Sequence, residues 1–284
     1  MSDFNLQAQI DNGRGEIIIP EGVHDVGSVH AYRNCIIRGH SRLDCVLRGS
    51  IRIAAGLDVK LRDFRLRPLD TEEFGVRCDN WFFGMADGLL IEGFHIGVDI
   101  LAGTGWVIQH SYFSGCQYDI RIRNTNNADT GDHLLLGNVH DGQGVTCVHF
   151  LSSGGLRAVA NKWLGHDYGL LAEVEGVTSD LMLVGNSTEN QHRMGWALRE
   201  NGGSFSNVTM VGNQFALDAP AISVAGMERV AVVGNSINTP RFLGIDVHGC
   251  ADSVVANNAV TEAIQQPAPA PVPAPFWKAF FPWL

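Results

Sequence analysis

Leu181-Met182-Leu183-Val184-Gly185-Asn186, Val208-Thr209-Met210-Val211-Gly212-Asn213 and Val230-Ala231-Val232-Val233-Gly234-Asn235 repeat one phrase: a short aliphatic run closed by Gly-Asn. Looser copies flank them. Leu134-Leu135-Leu136-Gly137-Asn138 and Ala158-Val159-Ala160-Asn161 lie upstream, and Val254-Val255-Ala256-Asn257 lies downstream. Asn138, Asn161, Asn186, Asn213, Asn235 and Asn257 are then equivalents, each following the last after roughly 22 to roughly 27 residues. Repetition with a period of roughly 24 residues marks a solenoid. Each copy is followed by a polar loop and a second alternating run, as in Gly169-Leu170-Leu171-Ala172-Glu173-Val174, Gly195-Trp196-Ala197-Leu198-Arg199 and Gly244-Ile245-Asp246-Val247-His248. Period-two alternation predicts strands with one buried face.

A unit of this size holds two or three short strands but cannot close a core of its own, so it must stack on its neighbours. Stacking places equivalent residues on adjacent rungs about 4.8 Å apart, the spacing of strands in a sheet. The repeated asparagine then has a physical task. Its amide can bond to the rungs above and below and satisfy turn groups that would otherwise be buried without partners. The glycine before it permits the backbone angles of the turn. Leucine-rich repeats lack their consensus here, helical solenoids lack their 3.6-residue period, and propeller blades need longer units. The expected fold is all-β, a single right-handed parallel β-helix.

The N-terminal third is less regular. Asn34–Gly39, Leu57–Phe64 and Leu89–Phe94 read as degenerate copies of the first strand, and Phe4–Ile10 as a short helix capping the open end of the stack. The division expected is 1–30 for the cap and first coil, 31–264 for the β-helix, 265–275 for a Pro-rich linker and 276–284 for an aromatic segment. The linker, Gln265–Pro275, is an extended polyproline spacer. The last nine residues carry five aromatics, Phe276, Trp277, Phe280, Phe281 and Trp283, which either dock into another subunit or partner or fold back on the last coil.

The chain has 284 residues, 45% of them hydrophobic and 18% charged, values that fit a folded chain. A net charge of −10 argues against a general nucleic-acid binder or tight binding to anionic membranes. No run reaches the roughly 18 apolar residues of a membrane span. Met1-Ser2-Asp3-Phe4-Asn5 has neither a basic start nor an apolar stretch. Synthesis in a cytoplasm without a signal peptide is expected, with release inside a virion or phage-like particle as a route out. The six cysteines form no CxxC pair, and most sit in apolar runs where they act as small buried hydrophobes. No His-acid pair has metal-ligand spacing, so neither a metal nor another cofactor is expected.

The stretches Leu6–Ile10, Gly15–His24 and Cys35–His40 resemble the start of pectate-lyase-like β-helix proteins, and the Gly-Asn coils from 134 to 258 look like the same class. That superfamily includes polysaccharide lyases, glycoside hydrolases, epimerases and phage tailspikes. The resemblance spans most of the chain and implies the fold, not the activity, with trimerisation common among spike-like members. It does not carry over an active site. Asn124-Thr125-Asn126 lacks the aspartate of the polygalacturonase Asn-Thr-Asp motif, no Asp-Asp pair exists, and Arg121-Ile122-Arg123 precedes His248-Gly249 instead of following it.

Three loops after the ladder asparagine are rich in chemistry: His140–Gly144, Trp163–Tyr168 and Thr188–Arg193. In register, Asp141 and Asp167 would lie about 5 Å apart and Asp141 and Glu189 about 10 Å apart, separations suited to retaining and inverting glycoside hydrolysis. Asp141, Asp167 and Glu189 are therefore the candidate catalytic residues. His140, Trp163, His166, Tyr168 and His192 are candidate sugar contacts, with Trp163 and Tyr168 offering flat faces. By alternation Arg121, Arg123, His149, Glu173, Arg199, Asp246 and His248 point outward, where the arginines either bind an acidic glycan or pair with Glu173 and Glu200. The leading expectation is a polysaccharide-binding spike or adhesin-like protein, homotrimeric or part of a particle, that recognises a cell-surface glycan such as capsule. The alternatives are a polysaccharide lyase, hydrolase or epimerase, and a scaffold with no sugar ligand.

Overall fold

The computed structural model describes residues 4–53, 58–79, 81–123, 131–151, 154–175, 177–239, 241–242 and 244–261. The chain is a right-handed parallel β-helix. Among the described residues, eleven strands from Glu16–Ile18 to Val254–Ala256 form one sheet, every pair parallel. A nineteen-stranded sheet makes up the rest of the wall. It begins with two long strands, Gly22–Ala31 and Cys45–Ile53, and then divides into two faces. The second face carries three-residue strands such as Tyr112–Ser114, Val139–Asp141, Lys162–Leu164 and Ser187–Glu189. The third carries Tyr118–Ile122, Thr146–Phe150, Tyr168–Val174 and Met194–Glu200.

The interior is built from columns in register. On the first face, Ile17, Ile37, Leu61, Ala86, Ile108, Leu135, Ala158, Leu183, Met210 and Val232 follow one another up the stack, and all are buried. Each large aliphatic side chain so enclosed contributes about 1.5–3 kcal/mol. The next residue in that column, Val255, is 49% exposed, because the described stack ends there. At the other end the helix Leu6–Asp11 lies over the first coil with Leu6 and Ile10 buried, and the Asn5 side chain accepts from the Ala8 N–H to cap it.

The asparagine ladder is present and fully bonded. The Oδ1 of Asn186 accepts from the N–H of Asn161 at 2.9 Å and from its Nδ2 at 3.0 Å, while its own Nδ2 donates to the Ala158 carbonyl at 2.9 Å and to Asn213 Oδ1 at 3.0 Å. The same pattern links Asn138 to Asn161 and Asn213 to Asn235. Ser111 starts the ladder by donating its N–H to Asn138 Oδ1. The residue before each ladder position takes a positive φ, 61° at Gly137, 62° at Gly185 and 64° at Gly212.

Two sequence expectations change. The ladder ends at Asn258, whose Oδ1 accepts from Asn235 N–H and Nδ2. Asn257 instead fills the glycine position at φ 55°, a conformation that asparagine tolerates better than most residues. The final interval therefore runs from Asn235 to Asn258, one position longer than the sequence phrase suggests. Leu89–Phe94 is not a first-face strand either: Gly84–Asp87 occupies that place and Leu90–Glu92 pairs on the second face.

Candidate functional site

The second-face strands decide where most of the candidate residues point. In each, the residue two after the ladder position faces inward, giving the column Phe113, His140, Trp163, Thr188, Phe215, Ile237. His140 and Trp163 are 0% exposed and are core residues, not sugar contacts. His140 stacks on Phe113 with ring centroids 4.9 Å apart, and Trp163 packs edge-on against Trp196. His166, in the following turn, is also 0% exposed. The expectations for His140 and Trp163 fail because 139–141 and 162–164 are short strands, and alternation within them sends the middle residue inside. His166 fails because its turn folds the ring back beneath the wall, against Asp119 and Cys147.

The outward column runs Ser114, Asp141, Leu164, Glu189, Ala216. Asp141 and Glu189 are thus in register two rungs apart, about 10 Å. Asp167 does not sit beside Asp141. The rung partner of Asp141 is Leu164, and Asp167 lies beyond the turn, ion-paired with Arg193 at 3.1 Å. The Tyr112 hydroxyl donates to Asp141 at 2.7 Å, and Lys162 approaches Glu189 at 3.5 Å.

On the third face Arg77, Asp99, Arg121 and His149 form an outer column. Arg121 and Arg123 both bond Asp99, Arg121 at 2.9 and 3.0 Å and Arg123 at 3.0 Å. Burial pushes the Asp99 carboxyl up, but the hydrogen bonds and charges of the two guanidiniums outweigh it and hold it below its ordinary value. Arg199 pairs with Glu173, which also lies 3.4 Å from His149. The arginines are thus ion-paired, Arg199 with Glu173 as expected, but Arg121 and Arg123 with Asp99 instead of Glu200, whose carboxylate accepts from the Phe205 N–H. Tyr168 is half-exposed on this face, and His149 stacks on Tyr118, a residue sequence reasoning passed over.

A cavity of about 420 Å³ opens at the turn between the second and third faces, lined by Asn190, Gln191, His192, Ala216, Leu217, Asp218 and Asn238. Gln191 is only 3% exposed, and its amide nitrogen and oxygen have no hydrogen-bond partner among the described residues. His192, Asp218 and Asn238 are exposed around it. Only His192 was a candidate from sequence. Asp218 and Asn238 belong to later coils, and their signal was no more than polar turn residues at the repeat spacing.

A second polar group lies inside the solenoid. Asp119 is 0% exposed, with Oδ2 3.1 Å from His140 Nδ1 and 3.2 Å from His166 Nε2. Cys147 Sγ is 3.4 Å from His166 Nδ1. Burial opposes the charge on Asp119, yet its contacts with the two histidines hold the carboxyl below its ordinary value. Burial works against the His166 cation as well, but Asp119 and Cys147 raise it to about 11. The aromatic residues Phe276, Trp277, Phe280, Phe281 and Trp283, and the linker before them, lie outside the described residues.

Among solved structures the chain is similar to PfbA, a surface adhesin of Streptococcus pneumoniae, at 11% identity and a TM-score of 0.62, over 90% of this chain and 86% of that one. It is also similar to endopolygalacturonase I from Stereum purpureum, solved with two galacturonate, at 12% identity and a TM-score of 0.52, over 91% of this chain and 99% of that one. At such identities the likeness is one of fold. No family model matches the chain, and no curated protein matches it. No helix among the described residues is long and apolar enough to cross a membrane.

Proposed function

We propose that the chain binds a polysaccharide along its outer wall, with the cavity at Gln191 as its principal sugar subsite. The observation that carries this reading is the open cavity of about 420 Å³, rimmed by the exposed polar residues His192, Asp218 and Asn238 and walled by Gln191, whose buried amide has no hydrogen-bond partner among the described residues. A polar group left unpaired in this way costs stability unless something bonds it. A sugar hydroxyl, both donor and acceptor, suits the exposed Asn238 amide directly and would meet the Gln191 amide once that side chain turns toward the cavity. Asp218, Asn238 and His192 add exposed polar contacts, and Tyr168 adds a ring face. A polymer of repeating units also suits a wall of repeating rungs. The glycan we favour is a cell-surface one, with the protein acting as an adhesin or particle spike, oligomerised through Phe276–Leu284.

Both structural neighbours fit this class: one is described as a surface adhesin, the other was solved with galacturonate. A second reading, hydrolysis of the bound chain, has one observation in its favour: the register that sets Asp141 and Glu189 about 10 Å apart.

The test is titration of capsular and lipopolysaccharide preparations against the full chain and two variants. Gln191→Leu replaces an unpaired amide with an apolar side chain of similar size, so Tm should hold or rise. Glycan affinity should fall at least tenfold, about 1.4 kcal/mol, in this variant and in Asp218→Ala. Unchanged affinity in both, or no binding by the parent chain across the panel, defeats the proposal. Shortening of the bound polymer, abolished by Glu189→Gln, would establish the hydrolytic reading.

A further inference from the structure

We propose that Asp119, His140 and Cys147 bind a divalent transition-metal ion of the zinc class inside the solenoid, with His166 bracing Asp119 and Cys147. The inference is independent of the glycan reading, because these side chains face the core.

The position is set apart by its neighbours. Residues Phe74, Ile96, Tyr118, Thr146, Tyr168 and Met194 are in register on the third face. The residues that follow them are Gly75, Gly97, Asp119, Cys147, Gly169 and Gly195. At the glycines a Cβ would meet both the next coil's backbone and a ring from the second face. At Gly97 it would sit 2.6 Å from the Asp119 carbonyl oxygen and 3.1 Å from the Phe113 ring, and at Gly195 2.4 Å from the Ala221 carbonyl oxygen and 3.0 Å from Phe215. Of these six positions, only the adjacent Asp119 and Cys147 carry functional side chains, an acid and a thiol. Opposite them His140 takes the slot held by phenylalanine or tryptophan on the rungs either side.

The donors converge. One ligand atom each from Asp119, His140 and Cys147 lie within 4.8 Å of one another. The contact of Asp119 Oδ2 with His140 Nδ1, 3.1 Å, is close to the edge of a tetrahedron with bonds of about 2.1 Å, which is roughly 3.4 Å. His166 Nδ1 lies 3.0 Å from the Leu164 carbonyl. His166 thus braces the donors from beside them, with Nε2 3.2 Å from Asp119 Oδ2 and Nδ1 3.4 Å from Cys147 Sγ, the kind of supporting contact that orients metal ligands. Asp119 Oδ1 and His140 Nε2 are buried without hydrogen-bond partners among the described residues. A thiolate, an imidazole and a carboxylate make a zinc-type donor set, with a fourth position left for water. A cysteine binds such an ion as the thiolate, so the Cys147 thiol gives its proton to solvent on binding.

The test uses the full chain without a polyhistidine tag. Elemental analysis of the purified protein is expected to give one metal equivalent per chain. Refolding with Co²⁺ alone is expected to give thiolate-to-cobalt charge-transfer absorption, and refolding with Zn²⁺ alone a Tm several degrees above that of chelator-treated protein. Cys147→Ser should lose the charge-transfer band, and Asp119→Asn should lose the bound equivalent. Wild-type protein with no stoichiometric metal, no cobalt–thiolate band and the same Tm in chelator would overturn the proposal and leave a proton-held Asp119–His166 pair. The wild-type measurements decide the matter even if a variant fails to fold.

Discussion

Replacing Asn186 by alanine tests the ladder at its centre. Four buried hydrogen bonds disappear: two received from Asn161, one given to the Ala158 carbonyl and one given to Asn213. Some of the groups left behind keep other partners. Asn161 Nδ2 still donates to the Leu135 carbonyl, and Asn213 Oδ1 still accepts from the Asn186 N–H. The Asn161 N–H loses the side-chain acceptor that satisfied it. A buried group in that state costs about 1–3 kcal/mol, and each further lost bond about 1 kcal/mol. The expected destabilisation is about 4 kcal/mol, or roughly 10 °C in Tm for a chain of this size. Asn258 makes the equivalent bonds to Asn235 but is half-buried at the end of the described ladder, where water replaces what is lost. Asn258→Ala should cost only about 1 kcal/mol. Asn186→Asp separates hydrogen bonding from packing: it keeps shape and acceptor contacts but turns the donor into an acceptor facing two oxygens. It should cost at least as much as the alanine. Urea unfolding followed by circular dichroism measures all three. A loss of at most about 1 kcal/mol in Asn186→Ala, or equal losses at Asn186 and Asn258, would refute the claim that the ladder works by satisfying buried amides.

Two further outcomes are expected. His133 is 0% exposed, has no hydrogen-bond partner among the described residues, and burial lowers its pKa from 6.5 to about 4. Its neutral form is the folded one, so its contribution is whole above pH 6.5 and is lost as pH falls toward 4, a change of about 3 kcal/mol; His133→Phe should flatten that part of the stability–pH profile, and an unchanged slope would contradict the assignment. Asn257→Gly should be neutral or stabilise by up to about 1 kcal/mol, because glycine relieves the positive φ; a loss of several kcal/mol by thermal denaturation would mean that Asn257, not Asn258, is the ladder residue.

The places where sequence reading went astray share a cause. His140 and Trp163 lie in three-residue strands, too short for period-two alternation to show against the loops around them. The equivalent positions Phe215, Ile237 and Val260 are apolar, and aligning the coils by the ladder asparagine exposes the inward column. Asn257 stood in for Asn258 because two adjacent asparagines match the motif equally well. Only backbone angle and hydrogen bonding separate them.

What the sequence alone determined is the repeat, and with it the fold. Aliphatic runs, Gly-Asn turns and a period of roughly 24 residues allow one economical arrangement, since no single coil can bury its own apolar face. Tertiary structure alone decided which polar groups meet. The cavity gathers Gln191, Asp218 and Asn238 from successive coils, and the interior cluster joins Asp119, His140, Cys147 and His166, residues whose spacing resembles no ligand motif. In a solenoid, neighbours in space are one coil apart in sequence, and coil lengths vary from one turn to the next. Register therefore has to be known before chemistry can be read.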